Sequence, residues 1–461
     1  MKDKFLKILK ETQVWDSKEA FEVYGKDWIK DYQANPSLIL LPETYEDVQK
    51  ILKVCAENKI AVVPSGGRTG LSGGATALNK EVVLVLDKLN KILEFNELEQ
   101  TLTCQAGVLT QSLQDAAKDK DLYFPIDFAS KGSSQIGGNI ATNAGGIRVV
   151  KYGNMRDWVL GMKIVTAQGE LIELNGSLFK NQTGYDLKNL IIGSEGTLAV
   201  IVEATIKLAK PPKNLKHILC GAADVQDILK IFAASRKSFS TLSVFEYFSR
   251  LALEEVIKKH SLKEPMSEKC NEYLLIELEA DTPDFDDRLE KFLEEQMEGG
   301  SIQDAVISQN SMQSQQFINY RELIPESLNS TYTLHKNDIS VPISKIPNFI
   351  TRLQALLAEL YPSFKAIVFG HIGDGNLHVN TLKPEGLDDK EFYARCKEAD
   401  REIFKLIQED KGSISAEHGI GIKKKEFLSF SRTGIEISLM REIKKVFDPQ
   451  GILNPGKIFD L

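Results

Sequence analysis

The chain has 461 residues, 42% hydrophobic and 26% charged, with 57 Lys+Arg against 65 Asp+Glu and a formal net charge of −8. That length allows two large domains or about three ordinary ones, each with its own core. The composition excludes disorder, collagen-like fibre and a disulfide scaffold as whole-chain readings. The acidic balance argues against a nucleic-acid partner, whose phosphates demand a basic surface.

Residues 1–36 read as a helical lead-in: MKDKFLKILKETQVWD scatters charge among its apolar positions, as a short amphipathic helix does and a secretory signal does not. The run SLILLPETYEDVQKILKVCAENKIAVVPSGGRTG then reads strand, helix, strand. Thr44 is placed as N-cap, with Asp47 three residues on and apolar Val48, Ile51, Leu52 and Cys55 at helical spacing. The second of these strands is expected over Ile60–Val63. The β-rich runs VVLVLD, KILEFN and QTLTCQAG follow, then a helix over Leu109–Lys120, then a Gly/Ser/Asn-rich stretch from Pro125 to Gly146. Strands resume at LGMKIVTAQGELIEL and TLAVIVEATIKLA and stop at Pro211-Pro212, a breaker pair placed as a domain boundary. Beyond it, HILCGAA and EYLLIELEA alternate with charged helices, and the acidic run Glu290–Glu298 reads as a solvated helix face. That β-α-β order predicts a sheet layered with helices, of the ferredoxin-like kind. From about Glu391 the chain is expected to be mainly helical. No apolar run reaches the ~18–20 residues of a membrane span.

Five cysteines (Cys55, Cys104, Cys220, Cys270 and Cys396) are odd in number and form no CxxC pair. Zinc-ribbon and iron–sulfur readings fail, and a reducing, cytoplasmic setting is expected.

PSGGRTGLSGGA places five glycines within twelve residues directly after a strand. Backbone amides in such a loop can cradle a pyrophosphate, with the Ser65, Thr69 and Ser72 hydroxyls beside them. GK[ST] and G-x-G-x-x-G are both absent, so neither a Walker A loop nor a Rossmann fingerprint is present. Taken alone, the loop also reads as a tight structural turn. GSSQIGGNIATNAGG (132–146) and LIIGSEGTLAVI (190–201) add a second and a third small-residue loop, and the set describes a long groove for an extended dinucleotide.

Three of the six histidines, His371, His378 and His418, carry most of the remaining signal. In FGHIGDGNLHVN, a Gly-Asp-Gly turn joins two strand-like runs. His378 and Asn380, two apart on a strand, share a face, and the turn can bring His371 beside them. GSISAEHGIG offers Glu417 as a carboxylate partner. From these residues alone, a metal and histidines merely satisfied by hydrogen bonds stand level. His217, His260 and His335 read as surface or structural residues. Arg321 alone reads as a helix-surface charge.

PSGGRTGLSGG, IGGNIATNAGG, NQTGYDLKNLIIGSEGTL, HIGDGNLHVN, SAEHGIG and ILNPGK, in this order, carry a resemblance that covers the chain from about residue 38. Residues 37–212 resemble the FAD-binding domain of the vanillyl-alcohol oxidase (PCMH) type. The whole is similar to flavin-dependent D-2-hydroxyacid dehydrogenases acting on D-lactate, D-2-hydroxyglutarate or glycolate. The fold class implied is α+β: the lead-in (1–36), a two-subdomain FAD-binding domain (37–212), a ferredoxin-like substrate or cap domain (213–400), and a C-terminal helical segment (401–461) packing back on the FAD domain.

By that resemblance the FAD pyrophosphate lies on Gly66, Gly67, Arg68, Thr69, Gly70, Leu71, Ser72 and Gly73, and Pro64 and Ser65 also belong to the cofactor set. Pro125, Ser130, Gly132, Ser133, Ile136, Gly137, Gly138, Asn139, Ala141, Thr142, Asn143 and Gly145 line the flavin further along. Glu195, Thr197, Ile201 and Asn454 complete the cofactor set. Some relatives tether FAD through a histidine in the nucleotide-binding half. The first histidine here is His217, so non-covalent FAD is expected. In the family the residues matching His371, His378 and Glu417 bind a divalent metal, with Zn²⁺ expected ahead of Mn²⁺ or Co²⁺.

His418 stands where the family has its catalytic base and also touches substrate, Asn380 orients the substrate, and Arg321 and Lys336 match the carboxylate-binding arginine and lysine. Pro325 stands where animal-type D-2-hydroxyglutarate enzymes have threonine, a departure that bears on recognition of a second, distal carboxylate. The reaction implied is oxidation of a D-2-hydroxy acid to the 2-oxo acid, with the hydroxyl polarised by the metal and the hydride passing to flavin N5. The electrons then pass to an acceptor such as an electron-transfer flavoprotein, a quinone, a cytochrome or an iron–sulfur subunit. A homodimer is compatible with this reading. Two rivals stay open: a flavin-binding redox subunit of a larger complex, and an oxygen-using oxidase of the same fold.

Overall fold

The computed structural model describes residues 1–29, 32–360 and 362–461. The chain divides into two compact units, one of Met1–Gly146, Gly153–Pro211 and Glu417–Leu461, the other of Ile147–Tyr152 and Pro212–Ala416.

In the first unit, the helix Tyr45–Asn58 starts at a reciprocal cap: Asp47 N–H donates to Thr44 Oγ1 (3.1 Å), and Thr44 N–H donates to Asp47 Oδ2 (3.2 Å). Such caps contribute about 1 kcal/mol. The helix buries Val48, Ile51, Leu52 and Cys55, one apolar stripe at 3.6-residue period. Beside it the parallel strands Leu38–Leu40, Val82–Val85 and Val62–Ser65 form a sheet covered on both faces, which is why Val82–Val85 is buried at every position. The second strand of that strand–helix–strand run lies two residues later than its sequence suggests, so Pro64 and Ser65 sit on the strand end. The lead-in is not wholly helical: between the helices Lys2–Leu6 and Lys18–Tyr24, Val14–Trp15 pairs antiparallel with Leu40 and Ile39 and closes the sheet edge.

A second, antiparallel sheet runs in the order Ile92–Asn96, Thr101–Gln105, Val200–Lys207, Val159–Val165 and Leu171–Leu174. The helix expected over 109–120 spans Thr110–Lys118. The stretch 132–146, read as a loop, contains the helix Ile136–Thr142. Its Gly-Gly pair lowers helix propensity, but Ile136 and Ile140, one turn apart, are both fully buried and hold it.

The second unit is built on a seven-stranded antiparallel sheet in the order Asp304–Ile307, Leu215–Ala222, Glu272–Glu279, Leu242–Ser249, Lys365–Gly370, Asn376–Leu382 and Leu334–Ser340. Its first half follows the β-α-β-β-α-β order of ferredoxin-like folds, with the helices Val225–Ser238 and Phe285–Glu298 as the crossovers and a further helix, Arg250–His260, inserted between the two middle strands. Phe285–Glu298 buries Phe285, Leu289, Phe292 and Leu293 and leaves its glutamates in water. No helix among the described residues is long and apolar enough to cross a membrane.

Candidate active site: glycine loops and a polar sheet face

The first unit gathers three loops. After the strand Val62–Ser65 the chain turns through Arg68 (φ 59°) and Gly73 (φ 81°). The Arg68 guanidinium pairs with Asp87 (2.9 and 3.2 Å), donates to Gly66 O (2.6 Å) and lies over the Tyr24 ring, so the loop offers a ligand its backbone amides. A Cβ on Gly67 would fall 2.2 Å from Ser133 O, so only glycine lets the second loop come this close. Gly138 lies behind Gly66, and a Cβ on Gly132 or Gly138 would project into open space that a side chain would fill. Ser65 Oγ and Ser194 Oγ are buried with no hydrogen-bond partner among the described residues, as befits groups awaiting a polar ligand.

The third loop is tied to the other two. Glu195 N–H donates to Ala141 O (2.8 Å), and its carboxylate accepts from the N–H groups of Ile420 and Gly421, each at 2.8 Å. Burial pushes that carboxyl above its ordinary pKa, although these two amides pull the other way. Asn454 Nδ2 donates to Gly74 O (2.9 Å) and Glu195 O (2.7 Å), and Ser72 Oγ donates to Gly419 O (3.1 Å). The side chains of Glu195 and Asn454 therefore knit the loops together. Those of Ile136 and Ile201 lie in the core, at 0% and 5% exposure. His418 sits in the clasped segment, its Nε2 3.5 Å from Glu417 Oε1.

The second unit assembles a polar patch on one face of its sheet. Residues directly opposite in an antiparallel ladder share a face. The register pairs Lys336 with Asn380, Asp338 with His378, His378 with Phe369, and Phe369 with Phe248. Glu246, two residues before Phe248, shares that face by the period of two. His371 follows the strand Lys365–Gly370, and the turn closes at Gly375 (φ 92°), where a Cβ would meet Val341 O at 2.5 Å. This brings the His371 and His378 rings to 5.5 Å between centroids. Ser415 Oγ donates to Asp338 Oδ2 (3.4 Å), opposite His378, and Glu417 follows two residues later. One ligand atom each from His371, His378 and Glu417 lie within 4.8 Å of one another.

Arg321, read as a surface charge, is 4% exposed in the last turn of the helix Ser311–Glu322, with its guanidinium 4.8 Å above the Phe369 ring. Its Nη2 stands 2.8 Å from Glu246 Oε2 but off the hydrogen-bonding line. Arg321 Nε and Nη2 thus keep unmet donors among the described residues. Glu246 Oε1 lies 2.6 Å from His371 Nδ1. Glu246 escaped notice in the sequence. Its one signal was an acid inside VFEYF, a run buried at every position.

The other histidines have structural partners: His217 with Glu277 (3.0 Å), His260 with Ser327 (3.2 Å) and His335 with Asp400 (2.8 Å). All five cysteines are free and buried, and burial pushes the thiols of Cys55, Cys104, Cys220 and Cys396 up to about 12, far from any reactive range.

Residues 36–175 match the FAD binding domain family, and residues 211–458 match the C-terminal domain of FAD linked oxidases. D-2-hydroxyglutarate dehydrogenase of Stutzerimonas stutzeri is 46% identical over 457 residues, covering 99% of this chain and 98% of that protein. The chain belongs to the flavin-dependent D-2-hydroxyacid dehydrogenases. A second D-2-hydroxyglutarate dehydrogenase, from Xanthomonas citri pv. viticola, is 47% identical over 439 residues, 95% of this chain and 92% of that one. Among solved structures, p-cresol methylhydroxylase aligns with a TM-score of 0.80 at 17% identity, over 99% of this chain and 96% of that one. That likeness shows the fold, an α+β architecture with a PCMH-type FAD-binding domain. As a flavin-dependent D-2-hydroxyacid dehydrogenase the protein uses FAD, and the three glycine loops fit such a cofactor.

Proposed function

We propose that this dehydrogenase oxidises D-2-hydroxyglutarate to 2-oxoglutarate, with FAD held non-covalently and a divalent metal, Zn²⁺ foremost, held by His371, His378 and Glu417. The observation that carries the reading is a trio of ligand atoms, from two imidazoles and a carboxylate, within 4.8 Å of one another, together with a buried arginine that keeps unmet donors among the described residues. Two histidines and one carboxylate form a common protein donor set for a catalytic metal that keeps a position open. When bound, the cation supplies Lewis acidity toward the substrate's 2-hydroxyl, and FAD supplies the hydride acceptor.

The rest falls to the chain's own side chains. Arg321 presents Nε and Nη2, the fork that grips a carboxylate bidentately. Lys336 supplies a second cation at a separate position on the face, opposite Asn380, which suits a substrate with two carboxylates. Its presence bears on the departure at Pro325, which here occupies the first turn of the helix Ile324–Thr331. Asn380, 4% exposed, offers an amide to orient the substrate. His418 takes the hydroxyl proton, imidazole being the side chain most often used as a general base. Non-covalent FAD is supported by the absence of histidine before His217, which is itself occupied by Glu277. The names borne by the relatives support the choice of D-2-hydroxyglutarate.

The test is anaerobic flavin bleaching with D-2-hydroxyglutarate, D-lactate and glycolate in parallel. D-2-hydroxyglutarate should bleach the flavin fastest. Faster bleaching by either of the other two would replace the substrate, and no bleaching by any would favour a redox subunit without a substrate site.

A further inference from the structure

We infer that Glu246 is a positioning residue for the metal: it fixes the tautomer and ring angle of His371, and Arg321 holds it in place from the other side. This rests on the proposal that His371, His378 and Glu417 bind a metal. The geometry is local. Glu246 is 1% exposed on the central strand Leu242–Ser249. One oxygen, Oε1, meets His371 Nδ1 at 2.6 Å, and the other, Oε2, meets the Arg321 guanidinium at 2.8 Å.

A carboxylate is acceptor-only, so Nδ1 must carry the proton, and a neutral His371 is left with its lone pair on Nε2. That is the nitrogen a metal needs. Metal-ligating histidines commonly donate their other N–H to a carboxylate in this way, which raises the basicity of the ligating nitrogen and fixes the ring. An acid this deeply buried needs both a donor and a counter-charge. His371 supplies the first and Arg321 the second, and Arg321 is itself anchored over Phe369. His378 has a neighbour of a different kind, the Phe369 ring at 5.1 Å between centroids.

The experiment measures Zn²⁺ affinity, not turnover, by competing chelator-stripped, FAD-loaded protein against a chromophoric zinc chelator. Glu246→Gln keeps an acceptor but loses the charge and should weaken Zn²⁺ binding about 10- to 100-fold, with Glu246→Ala weaker still. Flavin content and the thermal transition serve as folding controls. His371→Ala and His378→Ala set the reference. If they bind Zn²⁺ as the parent does, the metal reading itself fails. If they lose it while Glu246→Gln keeps the parent Kd, the role of Glu246 is overturned and the metal site stands. Should the Glu246 variants fail to load flavin or fold, ¹⁵N-histidine NMR of the unmodified metal-free protein decides. A His371 signal from the Nδ1-protonated form upholds the inference, and one from the Nε2-protonated form overturns it.

Discussion

Arg148 grips Glu277 with two parallel hydrogen bonds, Nε to Oε1 at 2.8 Å and Nη2 to Oε2 at 2.7 Å. The arginine comes from Ile147–Tyr152, the short segment that joins the second unit, and Lys151 adds a pair to Glu279 at 2.8 Å. Ser243 Oγ donates to Glu277 Oε1 (2.6 Å), and His217 lies on its Oε2. Burial alone would raise the carboxyl's pKa, but these hydrogen bonds and the arginine charge outweigh it and hold it well below the usual range.

Removing one member of a buried ion pair leaves the other uncompensated, at a cost of about 3–5 kcal/mol. Arg148→Ala should therefore lower the urea midpoint of the second unit by a correspondingly large step. Arg148→Lys, which keeps the charge without the fork, should fall between. Equal midpoints for parent and Arg148→Ala would show that Glu277 is satisfied without it.

Glu272 moves the opposite way. Burial raises its carboxyl to about 7, although the Tyr247 hydroxyl donates to it at 2.9 Å. The native state then binds this proton more tightly than the unfolded chain. The stabilisation is full below the unfolded pKa of about 4.5 and is lost as pH rises through about 7. Glu272→Gln should flatten the fall in melting temperature between pH 5 and 8 by this group's share. An unchanged slope would reject the assignment.

Chelation should abolish turnover while flavin stays bound, and Zn²⁺, Mn²⁺ or Co²⁺ should restore it. His371→Ala or His378→Ala should behave like the stripped protein and resist restoration. Full activity after complete metal removal, verified by elemental analysis, would leave the histidines a structural role.

Loss of a general base typically slows the chemical step about 10²–10⁴-fold, so His418→Ala should reduce flavin bleaching by that order with little change in KM. Arg321→Ala should show the contrasting pattern, a strong rise in KM, because it removes the carboxylate grip. Stopped-flow bleaching across substrate concentrations separates the two. A His418→Ala variant that bleaches at the parent rate would leave the base unassigned.

Acid precipitation should release intact FAD into the supernatant. Yellow colour remaining with the precipitated chain would mean a covalent link and overturn the non-covalent reading.

Much of this arrangement is local and was therefore legible in the sequence. The Thr44–Asp47 cap, the close-packed glycines of PSGGRTGLSGG and the HIGDGNLH turn each depend on neighbours a few positions away. What stayed hidden depends on register between distant strands. Nothing near Glu246 in the sequence indicates that Phe369 and His378 complete its sheet face. Arg321 lies in a polar stretch, and its burial follows from Phe317 and Tyr320, 2% and 0% exposed, drawing that helix onto the core. The helix Ile136–Thr142 was obscured by its own glycines, whose use is close approach: a Cβ on Gly137 would lie 2.7 Å from the Ala106 Cβ.

The clasp through Asn454 has a consequence for biosynthesis. Gly74 and Glu195 emerge from the ribosome long before the asparagine that bridges them, and Glu195 must also wait for Ile420 and Gly421. The segment Pro212–Ala416 is translated in that interval and carries its own seven-stranded sheet. The clasp that joins the loops is therefore finished last, although most of it is made first.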